Sequence, residues 1–158
     1  MLFRSTASYN TAVGYQAGYS NADTYNTSVG YQALYSNTNA FNTAVGNQAG
    51  KATTSGSVTA VGSQVLQANT TGAANTAVGG NANGVSTAAL QSNTTGSYNS
   101  AFGVGALQAN TTASNNTAVG YQAAYSNTTS NGVTAVGYKA AYASTNGTNS
   151  AFGREALA

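Results

Sequence analysis

Asp23 and Glu155 are the only carboxylates in this 158-residue chain, and Arg4, Lys51, Lys139 and Arg154 are its only cations. There is no His and no Cys. Thiol catalysis, His-based triads and most metal centres are therefore excluded by composition. An acid/base pair would need Asp23 and Glu155 in one site, yet they lie near opposite ends of the chain. No catalytic residue, no cofactor and no metal ligand is expected. The chemistry left is recognition, and its candidates are paired tyrosines: Tyr15 with Tyr19, Tyr31 with Tyr35, Tyr121 with Tyr125, and Tyr138 with Tyr142. Each offers an apolar ring and a polar tip, so a stripe of them could hold a glycan or a receptor. The same rings could instead form a structural ladder, packed along a stack or between chains.

The element that positions these tyrosines is a repeat. Nearly the same pentapeptide, Asn (or Val), Thr/Ser, Ala/Ser, Val/Phe, Gly, occurs nine times. It closes at Gly14, Gly30, Gly46, Gly62, Gly79, Gly103, Gly120, Gly137 and Gly153, with spacings of 16, 16, 16, 17, 24, 17, 17 and 16. Self-similarity at a fixed period signals a stacked, quasi-one-dimensional architecture. In the unit beginning at Asn26, Thr27 and Val29 share one face and Ser28 the other, which describes a short strand closed by a glycine turn. That glycine is expected to take a positive φ or to admit a neighbouring backbone.

Three residues after each glycine stands Ala, at 17, 33, 49, 82, 106, 123, 140 and 156, with Val65 the exception. A small residue at one fixed phase marks a tight interior. This segment reads as a second short strand or an irregular inward-facing stretch, with a single helical turn as the other option. A polar corner of Asn, Thr, Ser and Gly follows and carries the variation between 16 and 17 residues. The predicted fold is an all-β parallel β-solenoid, or β-roll, of about nine coils of 16–17 residues. Residues 1–9 form a lead-in, residues 10–158 the solenoid, and an insertion falls near residues 83–88, read as a surface loop or a recognition loop, with the unit resuming at Ala89. Asn10, Asn26, Asn42, Asn75, Asn99, Asn116 and Asn149 are expected to align as an Asn ladder.

Composition bounds the rest. A net charge of +2 from six charged groups leaves no basic footprint, so nucleic acid is not an expected partner. No run reaches transmembrane length, and Met1–Asn10 lacks the apolar stretch of a signal peptide, so membrane insertion is not expected either. Twelve Val, six Leu and no Ile leave little apolar area per coil. One strand face is therefore expected to line the coil and the other to pack on further copies, in a homotrimer about the solenoid axis or an end-to-end filament. The sequence leaves open which face goes where.

The NTAVGYQA units with YSNTT-type corners resemble the repeats of bacteriophage tail-fibre proteins, notably of cyanophage type. They are more distantly similar to the head repeats of trimeric autotransporter adhesins, whose motif is close to NSVAIG. This chain differs from the adhesin motif in carrying Thr in place of Val, in lacking Ile, and in having a slightly longer repeat. The resemblance spans Asn10 to Ala156. It implies trimers of parallel β-rolls that attach to host surfaces, and hence a stiff fibre or adhesin shaft in a virion tail fibre or on an extracellular surface. Two alternatives stand beside it: a self-assembling extracellular filament subunit, and a module that binds glycans through the Tyr pairs or ice through the Thr row (Thr11, Thr27, Thr43, Thr59, Thr76, Thr117, Thr134).

Overall fold

Strands form where the small central residue of each pentapeptide is flanked by β-favouring Thr and Val. They are β1 (Thr11–Val13), β2 (Thr27–Val29), β3 (Thr43–Val45), β4 (Val58–Val61), β5 (Asn75–Val78), β6 (Ser100–Phe102), β7 (Thr117–Val119), β8 (Thr134–Val136) and β9 (Ser150–Phe152). The computed structural model describes residues 8–54, 56–81, 87–145, 147 and 149–157. All nine strands lie in one sheet in chain order, each parallel to the next. The register is strict, with Thr over Thr or Ser, Ala over Ala or Ser, and Val over Val or Phe. The chain is an all-β parallel β-solenoid, each coil returning the backbone one strand further along.

The stack decides the orientation that the sequence left open. The central residue of each triplet points inward: Ala44, Ala60, Ala77, Ala101, Ala118 and Ala135 have no exposed surface. The Thr and Val on either side face outward. Only a methyl or hydroxymethyl fits inside because the facing wall of the coil is close.

Among the described residues beyond the closing glycines the structure has neither a second strand nor a helix, and the irregular alternative holds. It has overlapping reverse turns. Ala17 N–H donates to Gly14 O at 3.4 Å, with Gln16 at φ 52, the type II geometry. In the third coil the turns run on from Gln48 to Lys51 and from Gly50 to Thr53. Left-handed φ recurs two and four residues after the glycine, at Gln32 and Leu34 or Gln64 and Leu66. This alternation keeps the peptide groups aligned with the stack. Gln32 N–H donates back to Tyr15 O at 2.9 Å, and Leu34 N–H donates forward to Ala49 O at 3.0 Å. A left-handed Leu costs about 1–2 kcal/mol. Full burial of Leu34, Leu66, Leu90 and Leu107 returns about 2 kcal/mol each. Gly18 and Gly50 take the same position without strain, and a Cβ on Gly50 would lie 3.1 Å from Leu34 Cδ2. The leucine of one coil fills the space its neighbour's glycine leaves.

The long spacing is resolved at its base. Ala89 N–H bonds Gly79 O at 2.9 Å, and Ala89 O accepts from Leu66 N–H at 3.3 Å, as Val65 O accepts from Gly50 N–H in the coil before. The small-residue position assigned by spacing to Ala82 therefore belongs to Ala89. Ala82 and residues 83–86 of the insertion lie outside the described residues, while Ala88 at its exit is buried.

Two Asn ladders run through the interior. In the first, the side-chain oxygen accepts from the backbone of the next coil. Asn10 Oδ1 takes Asn26 N–H at 2.8 Å, and Asn26 Oδ1 takes Asn42 N–H at 2.9 Å. The row skips to valine at Val58 and Val133, whose N–H groups still bond Asn42 and Asn116. The second ladder, in the corners, went unread as a ladder in the sequence. Asn37 Nδ2 donates to Asn21 Oδ1, Asn93 to Asn69, and Asn110 to Asn93, each at 2.7 Å. In two 16-residue coils the ladders also bond each other, Asn26 to Asn21 at 2.9 Å and Asn42 to Asn37 at 3.0 Å. One extra corner residue separates Asn110 from Asn116, and there Asn110 Oδ1 and Asn116 Nδ2 are buried without partners.

The corner ladder has a gap at Thr53, whose buried Oγ1 has no partner. Thr53→Asn is expected to bridge Asn37 and Asn69 at nearly unchanged volume and to raise stability by about 1 kcal/mol. Chemical denaturation checks this, and an unchanged or lower midpoint would mean the gap has no energetic cost.

Candidate functional site

Exposed positions flank each strand at both ends, outside its extended backbone: the residue before the Asn/Val, left-handed at Tyr9, Tyr25, Phe41, Ala74, Tyr98 and Asn115, and many residues directly after the glycine. With the two outward rows of the strands, this side of the solenoid presents four parallel rows. The entry row contains Tyr9, Tyr25, Phe41, Ser57, Ala74, Tyr98, Asn115 and Gly132. Next come the Thr/Ser row and the Val/Phe row of the strands. The exit row contains Tyr15, Tyr31, Asn47, Ser63, Gly80, Val104, Tyr121, Tyr138 and Arg154. From β1 to β8 no described residue of these rows is charged. Much of the surface is apolar: Tyr9 is 75% exposed, Val13 52%, Tyr98 65%, Phe102 41% and Phe152 68%. These apolar side chains recur along the stack, interrupted in the fourth and fifth coils by Ser57, Ser63, Ala74 and Gly80.

The tyrosines named from the sequence do stack, and they divide into two rows. Tyr15 lies on Tyr31 with centroids 5.6 Å apart, and Tyr121 on Tyr138 at 5.5 Å; these belong to the exit row. Tyr19 lies on Tyr35 at 5.0 Å, and Tyr125 on Tyr142 at 5.2 Å, half-buried around the following turn. All four pairs are within 11° of parallel. The coil-to-coil register imposes this, because identical side chains in equivalent rotamers repeat at the strand spacing of about 4.8 Å. Lys139 Nζ joins the two rows at one end, 5.6 Å from the Tyr138 ring and 5.1 Å from the Tyr142 ring, with Arg154 5.5 Å from Tyr138.

A third aromatic stack escaped the sequence reading: Tyr9 on Tyr25 at 5.2 Å and Tyr25 on Phe41 at 5.3 Å. Its signal was present, an aromatic directly before Asn10, Asn26, Asn42 and Asn99. It was hidden because that position reads as the end of the polar corner. The corner threonines form a further ladder, Thr54 Oγ1 donating to Thr70 O at 3.1 Å and Thr70 to Thr94 O at 3.0 Å. On the turn, Gln32 Nε2 donates to Gln16 Oε1 at 2.9 Å and Gln48 Nε2 to Gln32 Oε1 at 3.1 Å.

No family model, curated protein or solved structure matches this chain. What the chain does must therefore be argued from its own surface. The acids do not meet. Asp23 sits before β2 and Glu155 after β9, seven strand steps or about 34 Å apart along the stack. Asp23 Oδ1 accepts from Thr24 N–H at 2.7 Å, and Glu155 pairs with the exposed Arg154 at 3.8 Å. Among the described residues no group of His, Cys, Asp and Glu could hold a metal, and no helix is long and apolar enough to cross a membrane.

Proposed function

We propose that this chain is a structural shaft segment, a stiff homo-oligomeric β-solenoid belonging to a fibre or surface adhesin, of the kind carried by a virion tail or an extracellular surface. The observation that carries this reading is the four-row outer face. It repeats coil after coil, is uncharged from β1 to β8, and bears Val, Phe and Tyr side chains that a lone chain leaves in water. A second copy removes that surface from water at about 25 cal/mol per Å². Stiffness follows from the two interior Asn ladders and the in-register sheet, which bond every coil to the next. Within this reading, attachment to surface glycans is assigned to the turn-side tyrosines, where Lys139 lies beside Tyr142. That row lies off the four-row face and stays accessible when the face is covered.

Sedimentation across a dilution series tests the proposal. The chain is expected to run as an oligomer. Val119→Lys places a charge on the outer face of β7 without touching the interior, and it is expected to yield folded monomer. A wild-type chain that stays monomeric at every concentration would sink the reading.

A further inference from the structure

The chain builds the same aromatic frame twice. In the first two coils Tyr31 stacks on Tyr15 at 5.6 Å and Tyr35 on Tyr19 at 5.0 Å. In the seventh and eighth coils Tyr138 stacks on Tyr121 at 5.5 Å and Tyr142 on Tyr125 at 5.2 Å. The frames differ in what stands beside the rings. Between Tyr31 and Tyr35 the chain carries Gln32, and Asn47 takes the exit-row position one coil on. Between Tyr138 and Tyr142 it carries Lys139, and Arg154 takes the exit-row position one coil on. We infer that this second frame binds a saccharide bearing a carboxylate, held by Lys139 and Arg154 with the phenols of Tyr138 and Tyr142 at the sugar hydroxyls. The inference rests on the glycan attachment proposed above and adds the class of sugar and which frame takes it.

Two of the four cations of the chain meet at this one place. Lys139 Nζ lies 5.6 Å from the Tyr138 ring and 5.1 Å from the Tyr142 ring, and the Arg154 guanidinium lies 5.5 Å from Tyr138. Tyr138 is common to both. Contact with a ring positions a cationic head without neutralising it, so the charge remains available to an anion. Glu155 is the one acid nearby. It reaches Arg154 through Nε at 3.8 Å with both side chains exposed, a pair of little strength that leaves the terminal guanidinium nitrogens to a ligand. Those nitrogens match a carboxylate in bidentate geometry, and a phenol hydroxyl both donates to and accepts from a sugar hydroxyl.

Lys139 is an exception in its row. The same phase carries an amide at Gln16, Gln32, Gln48, Gln64, Asn81 and Gln122. At the first frame Lys51 stands one coil beyond Tyr35, but it lies over no described ring. A neutral sugar would meet similar tyrosines at either frame; an acidic one distinguishes them by charge.

Calorimetric titration with an oligogalacturonate, beside a neutral oligogalactoside of equal length, tests the assignment. The acidic sugar is expected to bind about tenfold tighter or more, the difference made by one charge-assisted contact, and to weaken as salt rises. Lys139→Gln is expected to remove that advantage. Gln is native at this phase in five other coils, so the fold is expected to survive, and an unchanged thermal midpoint checks it. Arg154→Gln, at an exposed position, is an independent second variant. A neutral sugar bound as tightly as the acidic one would overturn the carboxylate assignment and leave attachment through the turn-side tyrosines standing. Acid-selective binding that persists in both variants would overturn the site. Binding of neither sugar would overturn this inference and the glycan assignment together, while the oligomeric shaft is judged separately by sedimentation.

Discussion

Gly120→Ala is expected to cost about 4 kcal/mol or more, the range reserved for backbone clash in a packed interior. Gly120 has φ +135, a region essentially closed to residues with a Cβ. An added Cβ would lie 2.7 Å from the Gly137 carbonyl carbon and closer still to its oxygen. Neither atom is a flexible side-chain end that could move aside; both belong to the next coil. Gly153 is the control. Its φ is +117, but nothing lies within 4 Å of a Cβ there, so Gly153→Ala is expected to cost only the conformational strain, about 1–3 kcal/mol. Denaturant midpoints of the two variants separate coil contact from φ strain. Equal losses would show that the glycine row is selected by φ alone.

Asn93→Ala is expected to cost about 4 kcal/mol, a large loss for one polar side chain. Asn93 is fully buried and bonds in three directions: its Nδ2 donates to Asn69 Oδ1 at 2.7 Å and to Gly96 O at 2.9 Å, and its Oδ1 accepts from Asn110 Nδ2 at 2.7 Å. Truncation removes three bonds and strands Asn69 Oδ1, at about 1–3 kcal/mol for the unsatisfied group, while Gly96 O keeps Asn75 Nδ2 and Asn110 Nδ2 keeps Ala113 O. Thr128→Ala, in the same polar corner but exposed, is expected to stay within about 0.5 kcal/mol of the native chain. Thermal melts of the two compare an interior ladder with a solvated corner. A loss at Asn93 as small as that at Thr128 would refute the structural role of the ladder. Such a result would also remove the physical basis for a stiff shaft, since the stiffness argument depends on bonds that tie each coil to its neighbours.

The pentapeptide was legible because strand alternation and a closing glycine are local features. Thr27, Ser28, Val29 and Gly30 state a strand and its end without reference to anything distant. The turn after Gly30 was not legible. Gln32 and Leu34 adopt left-handed φ that neither residue favours alone. Their peptide groups bond Tyr15 and Ala49 in two different coils, so tertiary contacts override local preference. The same reason hid the corner ladder. Asn37, Asn69 and Asn93 read locally as turn formers; they are core residues because equivalent corners stack. The phase error at Ala82 has a parallel origin. Spacing from Gly79 counts residues along the chain, whereas the interior position is claimed by whichever residue the neighbouring coil can bond, and that is Ala89.

Of the candidate site, the sequence placed the tyrosine pairs at their phases, and stacking then follows from register. It did not reveal that Tyr15 and Tyr31 flank the strand face while Tyr19 and Tyr35 lie around the turn. By itself the sequence determined an all-β solenoid of repeated short parallel strands, a chain with few charges, and no His or Cys to do chemistry, because period, composition and glycine spacing are properties of the chain alone. Only the tertiary structure decided that Ala faces inward and Thr and Val outward. Both faces of the pentapeptide are small or apolar, and the choice is made by the room left inside a coil closed by tight turns and filled by leucine and asparagine. That choice puts the Val, Phe and Tyr rows in water on one face.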